Sequence, residues 1–207
     1  MPTARPVHPL LAGLPEETLR RLQIYAKLLV KWQGAVNLVG DSTLDDLWLR
    51  HFADSLQVAE AVAEARRWLD LGSGAGFPGL VTAIKYAADP GARVHLVESN
   101  RRKCAFLREA ARETEAPAIV HCGRIEELLP SFNEPIDAVS ARALALLPKL
   151  LGFAEKFLDR GATGVFSKGK LFSGELIPSL TGGKYLITAI ESQTDPAARL
   201  VLVRRRS

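Results

Sequence analysis

Cysteine is scarce in this chain of 207 residues, which contains only Cys104 and Cys122. Two thiols are too few for a disulfide framework, and their spacing is not the CxxC pattern of a metal site. We therefore expect both to be reduced thiols of a cytoplasmic protein, and we expect no bound metal.

Long apolar runs are also missing. The N-terminal residues MPTARPVHPLLAGL lack the apolar core and the small-residue cleavage site of a secretory signal. No apolar run approaches the roughly 18 residues that a membrane span requires. No segment repeats at a fixed period, and none is of low complexity. These absences indicate a protein that works in water on the side of the membrane where it was made.

The charge balance has only a small excess of one sign, because 27 Lys and Arg against 23 Asp and Glu give a formal charge of +4. This excess permits an acidic partner but does not identify one. A hydrophobic content of 47% with 24% charged residues excludes a mainly disordered chain. The length fits one domain, or one domain with a helical extension.

Residues 1–64 show helical periodicity. From Pro15 to Trp32 the apolar residues recur at three- and four-residue steps, which predicts an amphipathic helix. Gly34 is expected to end that helix. We expect residues 1–64 to form a helical extension packed on the core.

A second helix is predicted after a short loop. Ser42 with Asp45 resembles a capping box, and apolar positions continue toward Glu64. Trp32 and Trp48 then fit the contact between the helical extension and the sheet. An exposed tryptophan stacked on a nucleic-acid base is the alternative.

Residues 65–207 alternate between strand-like and helix-like segments. Strands that alternate with helices indicate a parallel sheet covered on both faces, and so a Rossmann-like α/β fold in one cooperative unit. The last two strands follow a turn-rich segment, which predicts a closing antiparallel hairpin. The seven predicted strands are RWLDL, RVHLVES, AIVHCG, IDAVSAR, GVFSKG, KYLITAIES and RLVLVRR.

A glycine-rich loop, DLGSGAGFPG, covers Asp70 to Gly79. It follows a strand and precedes a helix, the context in which glycines let the backbone approach a nucleotide cofactor. The segment from Gly74 to Gly79 also satisfies GxGxxG, the dinucleotide fingerprint. The loop alone therefore leaves S-adenosylmethionine, a dinucleotide and a purely structural turn open.

Three features favour S-adenosylmethionine. Asp70 and Leu71 directly precede Gly72, which gives the acid-apolar-GxGxG arrangement typical of methyltransferases. Pro78 removes an amide donor that a pyrophosphate would use at the helix start. The chain also offers no second domain for a hydride acceptor. Asp70 is expected either to order the loop or to meet the methionine ammonium group, and Gly74 is expected to contact the cofactor.

Two further segments complete the predicted cofactor site. Glu98 ends the second strand about 20 residues beyond the loop, where an acid can accept hydrogen bonds from both ribose hydroxyls. Arg124, Ile125 and Glu126 follow the third strand, where the adenine edge is expected. Glu126 also fits a simple first-turn acid that complements the helix dipole.

Ten short motifs occur in a fixed order along the chain. They are Asn37-Leu38, Arg50-His51, Asp54-Ser55-Leu56, DLGSGAGFPG, Val97-Glu98-Ser99, Lys103, Phe106-Leu107, Arg124-Ile125-Glu126, Ala141-Arg142-Ala143 and Lys168-Gly169-Lys170. This ordered set resembles the RsmG family, formerly called glucose-inhibited division protein B. The resemblance extends from about Trp32 to Lys170, with a departure at Val39, where the family often has Thr, and a weaker match after Ser173.

The resemblance implies a bacterial class I methyltransferase that uses S-adenosylmethionine to methylate N7 of one guanine in the decoding-region loop of 16S ribosomal RNA. Loss of family members is associated with low-level streptomycin resistance. Carried over to this sequence, the resemblance places the cofactor contacts at Gly72, Phe77, Ile125, Glu126 and Arg142, with Glu98 as the ribose acid. The implied partner is 16S rRNA within the small ribosomal subunit or its precursor, and we expect a monomer.

Guanine N7 has a lone pair and no proton, so this reaction requires no general base, and no catalytic residue is assigned. Alignment of the reacting atoms is the expected contribution of the protein. Arg142 then fits a contact to cofactor or phosphate, or a salt-bridged strand end. A methyltransferase for a small molecule or a protein and a non-catalytic nucleotide-binding regulatory module remain the alternatives.

Basic residues are expected to bind RNA phosphates around the strand ends. Arg101 to Lys103 also fit a solvated helix start, His51 a packing histidine, and the terminal arginines a solubilising tail. The candidates are Arg50, His51, Arg101, Arg102, Lys103, Arg124, Lys168, Lys170 and Arg204 to Arg206.

Overall fold

A seven-stranded sheet forms the centre of the protein in the computed structural model, which describes residues 8–40, 43–169 and 183–206. The strand order is β3-β2-β1-β4-β5-β7-β6. All seven predicted strands and the closing antiparallel pair are confirmed. The strands are β1 Arg67–Leu71, β2 Arg93–Glu98, β3 Ala118–Cys122, β4 Ala138–Arg142, β5 Thr163–Lys168, β6 Tyr185–Glu191 and β7 Arg199–Arg205.

Strands β1 to β5 are parallel, and β7 runs antiparallel to both β5 and β6. The carboxyl ends of the parallel strands therefore meet at one edge of the sheet. The strand order reverses between β1 and β4, and in such sheets ligands bind outside the carboxyl ends at this point. Lys168 at the end of β5 pairs with Arg199 at the start of β7, so the start of β7 also lies at this edge.

Helices cover both faces of the sheet, as predicted. A π-helix, Trp48–Ala53, precedes α3, and a short 3-10 helix, Leu129–Ser131, follows α6. No helix in the described part of the chain is long and apolar enough to cross a membrane. The α-helices are α1 Pro9–Ala12, α2 Glu16–Val36, α3 Asp54–Glu60, α4 Gly79–Lys85, α5 Arg101–Glu113, α6 Ile125–Leu128 and α7 Leu147–Leu158.

Aromatic rings join the N-terminal helices to the segment after β1 and to α5. Tyr25 of α2 lies with its ring centroid 5.4 Å from Phe52 and 5.5 Å from Phe77. Trp48 packs edge-on against Phe52, and Trp32 packs against Phe106. Each fully buried large apolar side chain contributes about 1.5–3 kcal/mol. Both tryptophans thus lie at the contact between the helices and the core.

The ends of the N-terminal helices differ from their predicted positions. Helix α2 continues through Gly34 to Val36 and ends at Asn37, whose φ of 48° is left-handed. The Gln33 side chain caps this end, because its Oε1 accepts hydrogen bonds from the Leu38 and Val39 amides. A glycine within a helix weakens it only modestly, and this local cap determines where the helix ends.

The predicted second helix is shorter than expected. Ser42 lies outside the described residues, and residues 43–46 form turns. Regular helix begins only at Trp48, as the π-helix, and α3 ends at Glu60 rather than near Glu64. A π-helix accommodates an extra residue per turn, and here it buries Trp48, His51, Phe52 and Ala53 together.

Candidate active site

The glycine loop lies at the carboxyl end of β1. Gly72, Gly74 and Gly76 have φ values of 65°, 58° and 99°, in the left-handed region that favours glycine. A Cβ atom at Gly72 would lie 2.6 Å from Cδ1 of Leu144. The loop therefore presents bare backbone, as close approach to a ligand requires.

A cleft with a volume of ≈ 420 Å³ opens beside this loop. It runs along the carboxyl ends of β1, β2, β3 and β4. The residues that line it include Gly72, Gly74, Glu98, Lys103, Arg124, Ile125, Glu126 and Arg142. Six of the eight predicted cofactor residues are thus brought together around one cleft; Asp70 and Phe77 lie elsewhere.

Glu98 connects the glycine loop to the turn after β2. Its Oε2 accepts a hydrogen bond from the Gly74 amide at 2.8 Å, and its Oε1 accepts one from the Asn100 amide at 2.7 Å. The Asn100 side chain in turn caps α5. The carboxylate is therefore held in a fixed orientation at the wall of the cleft.

The start of α6 forms the wall beyond β3. Ile125 is buried at 8% exposure, while the Arg124 and Glu126 side chains are exposed. The first amides of a helix have no partner within that helix, so the Ile125 amide can donate to a ligand. Glu126 also lies 3.7 Å from the Lys149 ammonium group, which sequence reasoning did not identify as part of the site.

Asp70 lies behind the loop and is fully buried. The Ser140 hydroxyl donates a hydrogen bond to its Oδ1 at 2.7 Å. Burial raises the pKa of Asp70 to about 6, and the hydrogen bond from Ser140 opposes that rise. A Cβ atom at Gly79 would lie 2.6 Å from the Asp70 side chain, so α4 packs directly on it. These contacts are those of a residue that orders the loop.

Phe77 also lies on the core side of the loop, with 4% of its surface exposed. Its ring stacks on His51 at 4.7 Å, and the Arg142 guanidinium carbon lies 4.9 Å from its centroid. Tyr25 packs against another part of the same ring. Phe77 therefore packs against Arg142 and supports the glycine loop from the core side.

Arg142 joins the sheet to the π-helix. Its guanidinium group donates hydrogen bonds to Asp54 Oδ2 at 3.1 Å, to the Arg50 carbonyl at 3.2 Å and to His51 Nδ1 at 2.8 Å. The adjoining Ala143 has a φ of 53°, which is strained for a residue with a Cβ atom. Backbone strain of this kind clusters at functional sites.

His51 is a packing residue rather than an exposed RNA contact, since only 9% of it is exposed. Burial, together with the charges of Arg142 and Arg50, lowers its pKa to about 3, so the ring is neutral near pH 7. Because Nδ1 accepts from Arg142, Nε2 carries the hydrogen and donates to the Thr43 hydroxyl at 3.0 Å.

A second cavity, of ≈ 330 Å³, adjoins the cleft. The two share the wall formed by Arg142, Ala143 and Ala145. Arg50 and Lys168 contribute positive charge to the second cavity, which we call the base cavity. Asp54, Thr194, Asp195 and Ala198 also line it.

Comparison with known proteins identifies the family. The family model described as rRNA small subunit methyltransferase G matches residues 18–179. The chain belongs to this family. Proteins named ribosomal RNA small subunit methyltransferase G are similar to it throughout: one from Methylobacterium sp. (strain 4-46) is 47% identical over 93% of this chain and 91% of its own. One from Paramagnetospirillum magneticum is 48% identical over 95% of this chain and 93% of its own.

Solved structures share the fold of this rRNA small subunit methyltransferase G family member. The O-methyltransferase TomG from Streptomyces achromogenes, in complex with SAM, superposes with a TM-score of 0.60 at 18% identity, covering 93% of this chain and 91% of TomG. An rRNA methylase from Streptococcus thermophilus gives a TM-score of 0.54 at 16% identity, covering 73% of this chain and 96% of its own. At such low identity these matches establish the class I methyltransferase fold alone.

Several predicted basic residues of this family member lie at the carboxyl edge of the sheet. Lys103 and Arg124 line the cleft, and Arg50 and Lys168 line the base cavity. The Lys168 ammonium group also donates to the Ala145 carbonyl at 2.6 Å. Arg101 and Arg102 are exposed at the start of α5, and Lys170 lies outside the described residues.

The terminal arginines lie away from the carboxyl edge of the sheet. Because β7 runs antiparallel to β5, Arg204 and Arg205 lie beside the start of β5, at the opposite edge of the sheet. Arg204 lies within hydrogen-bond distance of the Thr163 hydroxyl, and Arg205 donates to the Asp159 carbonyl. The expectation that Arg204 to Arg206 complete the phosphate-binding rim is therefore wrong.

A buried polar network near the base cavity was missed from the sequence. Gln57, which is 1% exposed, donates to Ser192 Oγ at 2.9 Å and accepts from the Gln193 amide at 2.9 Å. Thr194 Oγ1 donates to Asp54 Oδ1 at 3.0 Å. These partners are about 135 residues apart in the chain, so no local motif could have identified them.

Proposed function

We propose that this protein transfers the methyl group of S-adenosylmethionine to N7 of a guanine in the decoding-region loop of 16S rRNA. One observation carries the proposal: in a member of the rRNA small subunit methyltransferase G family, the cleft beside the glycine loop adjoins a second cavity that is lined by cations and carboxylates. The family name supports rRNA of the small subunit as the substrate, and the two adjoining cavities offer space for the cofactor and for a base.

The residues of the cleft fit S-adenosylmethionine. Glu98 is oriented to accept hydrogen bonds from the ribose hydroxyls, as acids at this strand end do. Ile125 offers an amide and an apolar face to the adenine. Gly72 and Gly74 leave bare backbone beside the methionine portion, and Phe77 supports that backbone from the core side.

When bound, S-adenosylmethionine supplies an electrophilic methyl group on a sulfonium sulfur. The guanine N7 lone pair needs no deprotonation, so the protein contributes orientation and exclusion of water. The methylated base is cationic, and a bare positive charge beside it would raise the barrier. The ion pair of Arg142 with Asp54 at 3.1 Å balances the charge of the guanidinium group at the shared wall.

The setting of the reaction is part of the proposal. We propose that the protein acts in the cytoplasm as a monomer, on 16S rRNA within the small ribosomal subunit or its precursor. The basic edge formed by Arg50, Lys103, Arg124 and Lys168 supports an RNA substrate, since phosphate neutralisation by Lys and Arg is the main source of affinity for nucleic acid.

The test is transfer of labelled methyl groups from S-adenosylmethionine to small subunits from a strain that lacks the modification. We expect label on 16S rRNA. Glu98→Ala should abolish most of the transfer, whereas Glu16→Ala, at an exposed position of α2, should not change it. Label found only on protein or on small molecules would remove the RNA assignment, and cofactor binding with no transfer would favour the regulatory module.

A further inference from the structure

We propose that Asp195 recognises the target guanine in the base cavity by accepting hydrogen bonds from N1–H and the exocyclic N2 amino group. The inference rests on the proposed function and names the residue that selects the base. It concerns the wall of the base cavity formed by the turn between β6 and β7.

The position of the cavity determines how a base would lie in it. Arg142, Ala143 and Ala145 line both the base cavity and the cofactor cleft, so the two spaces adjoin along this shared wall. A guanine that directs N7 toward this wall directs its Watson–Crick edge, which is remote from N7, away from it. Asp195 lines the same cavity and belongs to the β6–β7 turn rather than to the shared wall.

The turn that carries Asp195 is fixed in place. Gln57 donates to Ser192 Oγ and accepts from the Gln193 amide. The Ser192 hydroxyl accepts from the Asp195 amide at 3.3 Å, and Asp195 Oδ1 accepts from the Ala197 amide at 2.9 Å. A side chain held by such contacts needs little reorganisation when it meets a base.

The two carboxylates of the base cavity, Asp54 and Asp195, differ in how many hydrogen bonds they accept. Asp54 already accepts from Arg142 at Oδ2 and from Gln57 and Thr194 at Oδ1, so both of its oxygens are engaged. Asp195 has one oxygen bonded to its own turn. Asp54 thus accepts three hydrogen bonds and its charge is paired with Arg142, whereas Asp195 accepts one, so Asp195 has the greater remaining capacity for a ligand.

The chemistry of a carboxylate fits guanine and not adenine. The Watson–Crick edge of guanine presents two adjacent donors, while adenine presents an unprotonated N1 that would face the carboxylate lone pairs. A site built to hydrogen-bond a substrate strongly rejects an analogue that lacks the matching groups. The negative charge also stabilises the positive charge that develops on the base during methylation at N7.

The test is a cycle of one substitution in the protein and one in the RNA. Small subunits are reconstituted with 16S RNA that carries either guanosine or inosine at the target position, since inosine lacks only the N2 amino group. Wild type and Asp195→Asn are compared on both. Asparagine keeps the oxygen that caps the turn but replaces one acceptor with a donor.

For wild type we expect inosine to lower kcat/KM about 10- to 100-fold, as loss of a hydrogen bond to a charged group does. Asp195→Asn should lower kcat/KM for guanosine by a similar factor and shrink the inosine penalty to less than about threefold. Binding of S-adenosylhomocysteine should not change. Glu191→Gln, an exposed carboxylate that precedes the same turn, should retain the full inosine penalty.

The outcomes separate the two proposals. If wild type transfers no methyl group to the guanosine substrate, the proposed function fails and the role of Asp195 with it. If wild type is active but the inosine penalty is equal in wild type and Asp195→Asn, the protein is the proposed enzyme and Asp195 does not contact the base. Guanine and hypoxanthine can differ in the intrinsic reactivity of N7. This difference affects wild type and Asp195→Asn equally, so it cancels when their inosine penalties are compared.

Discussion

Gly72 shows how a single missing side chain shapes the cofactor cleft. Its φ of 65° is costly for any other residue, and a Cβ atom there would meet Leu144 at 2.6 Å. Gly74 has a similar φ of 58°, but a Cβ atom there would approach nothing closer than 3.8 Å. An alanine substitution causes backbone strain at both positions, but it causes a steric conflict only at Gly72. Comparing the two substitutions therefore distinguishes the two effects.

We predict that Gly72→Ala lowers the free energy of unfolding by about 1–3 kcal/mol and weakens S-adenosylmethionine binding more than Gly74→Ala does. In the Gly72→Ala background, Leu144→Ala should restore part of the lost stability and cofactor affinity. It should not stabilise the wild type. Calorimetry and denaturant unfolding measure both quantities. Equal defects at Gly72 and Gly74, with no effect of Leu144→Ala, would show that the Leu144 contact is unimportant.

His51 gives a pH prediction at the same scale. Its folded pKa of about 3 lies below the ordinary histidine pKa of 6.5, so the unfolded chain binds more protons between these values. The stability contributed by neutral His51 is therefore present above pH 6.5 and is lost as the pH falls toward 3. We predict that the imidazole resonances of His51, assigned with His51→Asn, stay unchanged from pH 8 to 5 in NMR spectra. A midpoint near 6.5 would contradict the burial described for this ring.

At the scale of elements, Gln57 joins α3 to the β6–β7 turn. We predict that Gln57→Ala lowers the free energy of unfolding by about 2–4 kcal/mol, because it leaves buried partners without hydrogen bonds. Hydrogen exchange at residues 192–198 should accelerate. Gln23→Ala, at an exposed position of α2, serves as the control and should change stability by less than about 0.5 kcal/mol. Unchanged exchange in the turn would mean that Gln57 does not fix it.

The sequence was informative for elements with strong local patterns. All seven strands were predicted, because their β-branched residues and the intervening helical periods are local properties. The glycine loop and Glu98 were likewise found, since strand-loop-helix context and spacing determine where they lie. The cap of α2 at Asn37 was missed because a glycine is an ambiguous stop signal.

Features that depend on distant pairing could not be predicted. Arg204 to Arg206 were assigned to the RNA edge because the sequence does not give the direction of β7 relative to β5. Asp195 and Gln57 acquire their surroundings only when the hairpin turn meets α3. The burial of Phe77 depends on Tyr25 and His51, which come from the N-terminal helices.

At the scale of the whole molecule, we propose that the N-terminal helices and the sheet form one cooperative unit. Tyr25 and Phe52 from the helices share a single core cluster with Phe77 and Phe106. We predict one unfolding transition, with coincident midpoints for tryptophan fluorescence and far-UV circular dichroism in denaturant. Two separated transitions would show that the chain unfolds as two units with a boundary near residue 64.

The distribution of charge predicts a salt dependence of RNA binding. Arg50→Gln and Lys103→Gln, at the carboxyl edge of the sheet, should each reduce the slope of log K against log salt by about 1. Arg205→Gln, at the opposite edge, should leave the slope unchanged. Filter binding or fluorescence anisotropy over a range of salt concentrations measures these slopes. A reduced slope for Arg205→Gln alone would indicate that RNA binds at the opposite edge of the sheet, beside the start of β5.

A nucleotide-resolution map of methylation in 16S RNA, made after reaction with the purified protein and S-adenosylmethionine, tests the proposed methyl transfer to guanine N7. The adjoining cleft and base cavity, together with family membership, predict one new 7-methylguanine in the decoding-region loop. Methylation at another atom, at another site in the RNA, or on another class of molecule would contradict the claim, even if S-adenosylmethionine proved to be the methyl donor.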